Sequence, residues 1–216
     1  MSIKLKHIII KNRKLIIFLV SFVIFLLIAH DIFEKELIYY DDWVNVILIK
    51  YLRNDFLTMI MKIITNFGSG IVLVTISLLS YIFLKNKNQG LSIIINLSII
   101  TLINTLLKII VQRPRPSDIN IITELGYSFP SGHSMISTAF YGFLIYLACK
   151  NIKNKIYRIL ICIFLFFLII LICISRVYLG VHYTSDVIGG FFISISYLMI
   201  FITIVPKFLK IDDNKK

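Results

Sequence analysis

Six apolar stretches govern what this chain can fold into; they lie at about residues 15–29, 67–84, 91–111, 131–149, 156–174 and 185–205. Most have the roughly 17–25 residues that a helix needs to cross the hydrocarbon core of a bilayer. The first is the shortest, and tilt or local thinning of the bilayer absorbs the mismatch. The runs are continuously apolar rather than alternating. Inside lipid every backbone N–H and C=O must find its partner within its own segment, so helix is the spanning form. The chain is 58% apolar and 16% charged, where a soluble domain sits nearer half and a quarter. The predicted fold is therefore all-α: a six-transmembrane-helix bundle forming a single integral membrane domain over residues 1–216. The basic N-terminus leads into an apolar run with no small-residue cleavage site after it, so the first span is expected to stay as an anchor.

Between the first and second spans, residues 36–62 mix Asp41, Asp42, Trp43, Lys50, Arg53 and Asp55 with Val44, Ile47, Leu48, Leu52 and Phe56. That mixture suits the bilayer surface and predicts one interfacial amphipathic helix, with a solvated loop as the rival reading. Gly68-Ser69-Gly70 loosens the start of the second span. The three cysteines, Cys149, Cys162 and Cys173, all lie in apolar segments, and their odd count without paired spacing predicts neither a disulfide framework nor a zinc site.

The net charge of +12 does not point to nucleic acid, because of where the charges fall. The N-terminus, the second-to-third and fourth-to-fifth connections and the C-terminal tail together carry 15 basic residues and two acids, Asp212 and Asp213. The opposite side keeps eight basic residues and nine acids. Both termini are thus expected in the cytoplasm, in a multi-pass protein of the cell membrane.

Polar islands interrupt this lipid-dissolved chain on the outer side. They are Lys108 with Arg115-Pro116, then Pro130-Ser131-Gly132-His133, then Ser175-Arg176 with His182 and Asp186. Ionisable groups at such places are expensive and default to function. Three cations, two imidazoles and a carboxylate are an inventory for handling a phosphate ester. In order and spacing, the three stretches resemble the signature of the type 2 phosphatidic acid phosphatase superfamily. The motifs cover residues 108–186, and the six-span layout extends the resemblance over most of the chain.

The chemistry can also be argued from the residues. His182 can attack phosphorus if a carboxylate keeps its other ring nitrogen protonated, and Asp186 stands four residues on, on the same helical face. The resemblance implies a phosphohistidine mechanism, with His133 as general acid toward the leaving oxygen. Lys108, Arg115 and Arg176 form the expected phosphate clamp. Snorkelling to the interface is the plain alternative for Lys108. Family spacing selects Arg115 over Arg113, which is read as peripheral. Ser131 and Gly132 open the fourth span, where free backbone N–H groups and the helix dipole favour an anion; Gly132 allows close approach, and Ser131 is a phosphate donor or a simple N-cap. Asp118 and Glu124 are assigned no chemistry. No metal or other cofactor is expected, since the three cations stand in for one.

These readings describe a metal-independent membrane lipid phosphatase whose partners are its lipid phosphate or diphosphate substrate and the surrounding lipids. An outward-facing site favours undecaprenyl diphosphate, converted to undecaprenyl phosphate. Phosphatidylglycerol phosphate or phosphatidic acid is the runner-up, and a lipid phosphotransferase using the same site stays open. A vanadate haloperoxidase would need an enclosed soluble scaffold, and a lipid-binding protein with a decayed site would have lost motif positions; neither description suits this chain.

Overall fold

The computed structural model describes residues 3–34, 39–47, 51–117 and 119–209, without the side chains of 3–11, 39, 40 and 42. The described residues form eight helices: α1 (Ile3–Phe33), α2 (Tyr39–Ile47), α3 (Asp55–Asn66), α4 (Gly70–Phe83), α5 (Lys87–Val111), α6 (Gly132–Asn151), α7 (Lys155–Tyr178) and α8 (Thr184–Phe208). Among the described residues there is no strand. Asn54, Ser69, Asn86, Ser131 and Asn154 each accept a first-turn backbone N–H and so set the starts of α3 to α7. At the end of α5, Gln112 turns left-handed at φ 51°, and Pro114 and Pro116 keep the chain from resuming the helix.

Each expected span coincides with a helix, but length and composition qualify fewer than six as crossings. Four helical segments are long and apolar enough: Asn12–Phe33 of α1, α5, α7 and α8. The pair α3 and α4, bent by 44° at its break, makes a fifth if counted as one span. The remaining expected span, α6, falls outside that set because Gly132, His133, Ser134, Ser137 and Thr138 dilute its first half. Those polar groups are tolerable because α6 is the inner helix, packed against α5, α7 and α8. Ser134, Ser137 and Thr138 are all buried there.

The single interfacial helix expected over 36–62 is instead two helices, α2 and the beginning of α3, with residues 36–38 and 48–50 of that stretch, Leu48 and Lys50 among them, outside the described residues. Two local causes separate them. Asn54 caps a new helix, and Arg53 is drawn inward, donating to Tyr178 O at 3.0 Å and Ile119 O at 2.6 Å. The segment is thereby tied to the end of α7.

The bundle shows the pattern expected of helices packed in lipid. Ile156, Leu160, Phe164 and Phe167 on α7 face outward and are exposed. The interior combines Leu73, Ile93, Phe140, Phe143 and Ile172 with small and polar residues. Ser21 and Ser196 share a 2.7 Å hydrogen bond between α1 and α8, and Asn96 donates to Ala139 O at 3.0 Å between α5 and α6. Each such bond is worth about 0.6 kcal/mol, so their main effect is to fix register.

Candidate active site

The polar islands converge at one end of the bundle. α5 delivers Lys108, the start of α6 delivers His133, and the end of α7 delivers Arg176. The turn before α8 delivers His182, and the first turn of α8 delivers Asp186. That turn needs Gly180: its φ is +75°, and a Cβ there would lie 2.2 Å from Ile119 O. Left-handed backbone with no room for a side chain leaves glycine as the residue that fits.

His182 and Asp186 are almost wholly enclosed, at 1% and 0% exposure. Ser128 Oγ donates to Asp186 Oδ2 at 2.5 Å and lies 3.2 Å from His182 Nδ1, which is itself 3.4 Å from Asp186 Oδ2. On the other side of the ring, Arg115 Nη1 stands 3.0 Å from His182 Nε2. A guanidinium only donates, so Nε2 must accept, and the ring proton belongs on Nδ1 beside Asp186 and Ser128. His182 is thus held neutral with its Nε2 lone pair directed toward Arg115. Burial lowers its pKa to about 4, with Asp186 pulling the other way.

Asp186 is held from several directions. Its Oδ1 receives Arg113 Nη1 at 2.6 Å, and its Oδ2 receives the N–H of Tyr183 at 2.9 Å. Arg113 extends its other nitrogen to Asp41 Oδ2 at 3.0 Å, and its guanidinium lies 4.2 Å from the centre of the Tyr183 ring. Asp41, from α2, also receives the Ser185 backbone N–H at 2.8 Å and the Ser185 hydroxyl at 2.6 Å. Arg113, read from the sequence as peripheral, is therefore the residue that braces the carboxylate behind His182. The net effect of the two carboxylates is to raise the Arg113 pKa despite its burial.

Of the three cations expected to hold phosphate, Arg115 stands at Nε2 and Arg176 lies within electrostatic reach of the His182 ring. Arg115 also donates to Val181 O and Gly126 O, both at 2.9 Å. Lys108 curls toward the loop, where its Nζ donates to Tyr127 O, and it feels the charges of Arg115, Asp186, Glu124 and Arg176. Arg176, 1% exposed, gives Nη1 to Thr65 Oγ1 at 2.6 Å and Nη2 to Glu124 Oε1 at 2.5 Å. Its Nε is buried with no partner among the described residues. Burial would raise the Glu124 pKa, but Arg176 outweighs it and holds the carboxyl below its usual range.

His133 lies within electrostatic reach of Arg176, Glu124, His182 and Arg115. Gly68, at the α3–α4 bend, backs its ring: a Cβ there would come 3.1 Å from His133 Cδ2 and 2.8 Å from Ser137 Oγ. The Ser131 hydroxyl is used in capping α6, accepting from Ser134 N at 3.5 Å and from Ser134 Oγ at 3.1 Å. The Ser131 N–H donates to Asp186 O at 3.1 Å, which ties α6 to α8. A Cβ on Gly132 would meet Asn104 Oδ1 at 3.2 Å and Lys108 Cε at 3.9 Å, so a small residue keeps this side of the site open.

Arg113, Asp41, Ser128, Thr65 and Glu124 join the site although the sequence reading gave none of them a role in it; Asp118 lies outside the described residues. Among the described residues, no group of three or more His, Cys, Asp or Glu side chains could hold a metal ion.

Comparison with known proteins identifies relatives of the chain. A family model described as the PAP2 superfamily matches residues 89–210. The chain is 31% identical over 156 residues to phosphatidylglycerophosphatase B of Bacillus subtilis, covering 70% of this chain and 75% of that one. It is 27% identical over 177 residues to undecaprenyl-diphosphatase of Sulfolobus acidocaldarius, covering 78% and 82%. The crystal structure of a transmembrane PAP2 type phosphatidylglycerolphosphate phosphatase from Bacillus subtilis superposes with a TM-score of 0.76 at 28% identity, over 92% of this chain and 97% of that one. Aquifex aeolicus LpxE superposes with a TM-score of 0.61 at 26% identity, over 74% and 93%.

Proposed function

The chain belongs to the PAP2 superfamily, and on that premise we propose that it hydrolyses a lipid phosphate or diphosphate through a phosphohistidine on His182. The observation that carries this reading is the fixed ring: Nδ1–H against Asp186 and Ser128, with Nε2 facing Arg115. Nε2 attacks phosphorus, the bond to the leaving oxygen breaks, and His133 gives that oxygen its proton. Asp186 stabilises the charge that forms on the ring. Lys108, Arg115 and Arg176 balance the phosphoryl oxygens. A phosphoryl oxygen would also satisfy Arg176 Nε, a buried donor whose isolation costs about 1–3 kcal/mol. Water then attacks the phosphohistidine, His133 takes its proton, and inorganic phosphate leaves with His182 restored. The clamp supplies the charge compensation, so the reaction needs no metal.

In this reading α1, the bent α3–α4 pair, α5, α6, α7 and α8 make six crossings, both termini are cytoplasmic, and the site faces outward. The favoured substrate is undecaprenyl diphosphate, whose headgroup is presented on the outer face. Similarity to the phosphatidylglycerophosphatase supports phosphatidylglycerol phosphate as the second reading. Phosphate release by the purified protein is measured from these two lipids and phosphatidic acid, with EDTA present and with vanadate added. Turnover that survives EDTA, stops with vanadate and is fastest on undecaprenyl diphosphate is the expected result. Faster turnover of phosphatidylglycerol phosphate selects the second reading, a requirement for Mg²⁺ removes the metal-free mechanism, and transfer of label to an added lipid alcohol instead of water makes the protein a phosphotransferase.

A further inference from the structure

The seam between α1 and α8 carries a second site, far from His182. The two helices are joined at the Ser21–Ser196 hydrogen bond, 2.7 Å long. Beyond it, toward the start of α1 and the end of α8, they part around a cavity of about 790 Å³. Asp186 and Thr203 stand at opposite ends of α8, and 17 residues at 1.5 Å each put them about 25 Å apart. That is most of the hydrocarbon thickness, so the cavity opens near the membrane face opposite the active site.

Its lining is divided. Phe18, Ile200 and Ile204 make an apolar wall, while Arg13 and Lys14 stand at the mouth with Thr203. Lys14 Nζ reaches Thr203 Oγ1 at 3.4 Å. Arg13 is exposed and makes no hydrogen bond or ion pair among the described residues. Water gains little against such a wall, and hydrocarbon alone leaves the guanidinium without an anion. A molecule that satisfies both has a phosphate at one end and a long apolar chain at the other. The surroundings favour a negative headgroup, since Lys4, Lys6 and Lys11 precede Arg13 in the sequence and Lys207 follows Thr203. Basic clefts between spanning helices are suited to anionic lipid headgroups.

We infer that this cleft is a binding site for one anionic phospholipid, its phosphate held by Arg13 and Lys14 and an acyl chain lying along Phe18, Ile200 and Ile204. The inference is independent of the catalytic reading, because none of these residues belongs to the site around His182. The occupant is a resident lipid of the surrounding leaflet; a substrate molecule would have its phosphate at the wrong end of α8.

Lipid quenching of a single tryptophan tests it. Trp43→Phe removes the native fluorophore and Ile200→Trp places one in the cleft wall. The protein is reconstituted into vesicles of phosphatidylcholine, and chain-brominated phosphatidylglycerol or chain-brominated phosphatidylcholine is titrated in. Two cations contributing about 1 kcal/mol each predict a preference for the glycerol lipid of roughly tenfold or more. That preference should disappear in Arg13→Gln/Lys14→Gln and persist in Arg13→Lys/Lys14→Arg. Equal quenching by the two lipids means that the cleft holds only bulk lipid and overturns the inference, as does a preference that survives the double glutamine substitution. Arg13→Gln alone should lose about half of the effect on a logarithmic scale, which gives a reading if the double variant does not fold.

Discussion

Replacing Arg113 by alanine leaves two buried carboxylates without their shared cation. The side chains of Asp186 and Asp41 are 0% and 4% exposed, and Arg113 bonds them at 2.6 and 3.0 Å. Breaking a buried ion pair from one side costs about 3–5 kcal/mol, because the remaining charge stays buried. Partial compensation sets this case near the lower end. Asp186 retains Ser128 and the Tyr183 N–H, and Asp41 retains two bonds from Ser185. A loss of about 3 kcal/mol in a domain of this size lowers the midpoint of thermal unfolding by about 6–12 °C. Arg113→Lys should fall between, since one ammonium does not reproduce a fork spanning two carboxylates. The assay is thermal unfolding in neutral detergent for wild type, both variants and Asp41→Asn. Turnover should fall further in Arg113→Ala than in Asp41→Asn, because only the first frees the carboxylate that holds His182. A midpoint shift in Arg113→Ala below about 2 °C, with full turnover, would refute the reasoning.

His133→Ala should slow lipid phosphate hydrolysis by about 10²–10⁴, the usual loss of a general acid; the loss should shrink on an aryl phosphate, whose leaving group departs unaided, and an equal loss on both contradicts the role. In the proposed mechanism His182 reacts as the neutral ring. Since burial lowers its pKa to about 4, protonation removes the nucleophile only below that pH. The acid limb of kcat/KM, corrected for substrate ionisation, should then lie near 4, and a limb near the ordinary histidine value of about 6.5 would contradict the enclosed site. In a background without Cys149, Cys162 and Cys173, a cysteine replacing Asn120 should react with an impermeant thiol reagent on intact cells and one replacing Asn154 should not; the reverse pattern puts the active site in the cytoplasm.

Much of the site could be read from the sequence because its spacings are local. The four-residue step from His182 to Asp186, and Ser131 opening α6 before His133, each follow from one helix or one turn. Lys108 and Arg115 were legible through the family's spacing, although Arg113 stands closer to the sequence-expected Asp186 than Arg115 does. The missing partners come from far along the chain. Asp41 meets Ser185 across 144 residues, and Thr65 meets Arg176 across 111. No periodicity encodes such pairings, and an aspartate two residues before Trp43 in an amphipathic stretch looks like surface. The same stretch reads as one helix in the sequence because its mixed composition averages over both pieces; the division depends on Asn54 capping and on Arg53 finding carbonyls of α7 and the loop. The reading of α6 shows the opposite effect. Its serines and threonine lower its hydropathy, yet they lie inside the bundle, where composition alone has no view of which face is turned inward.

The most direct test of the account is rapid-quench trapping of the phosphoenzyme from substrate labelled in its terminal phosphate, followed by mapping of the acid-labile label. The account predicts label on His182 within the first turnover with EDTA present, none in His182→Ala, and slowed formation in Asp186→Asn. Label on His133, or a phosphoenzyme that persists in His182→Ala, would contradict it.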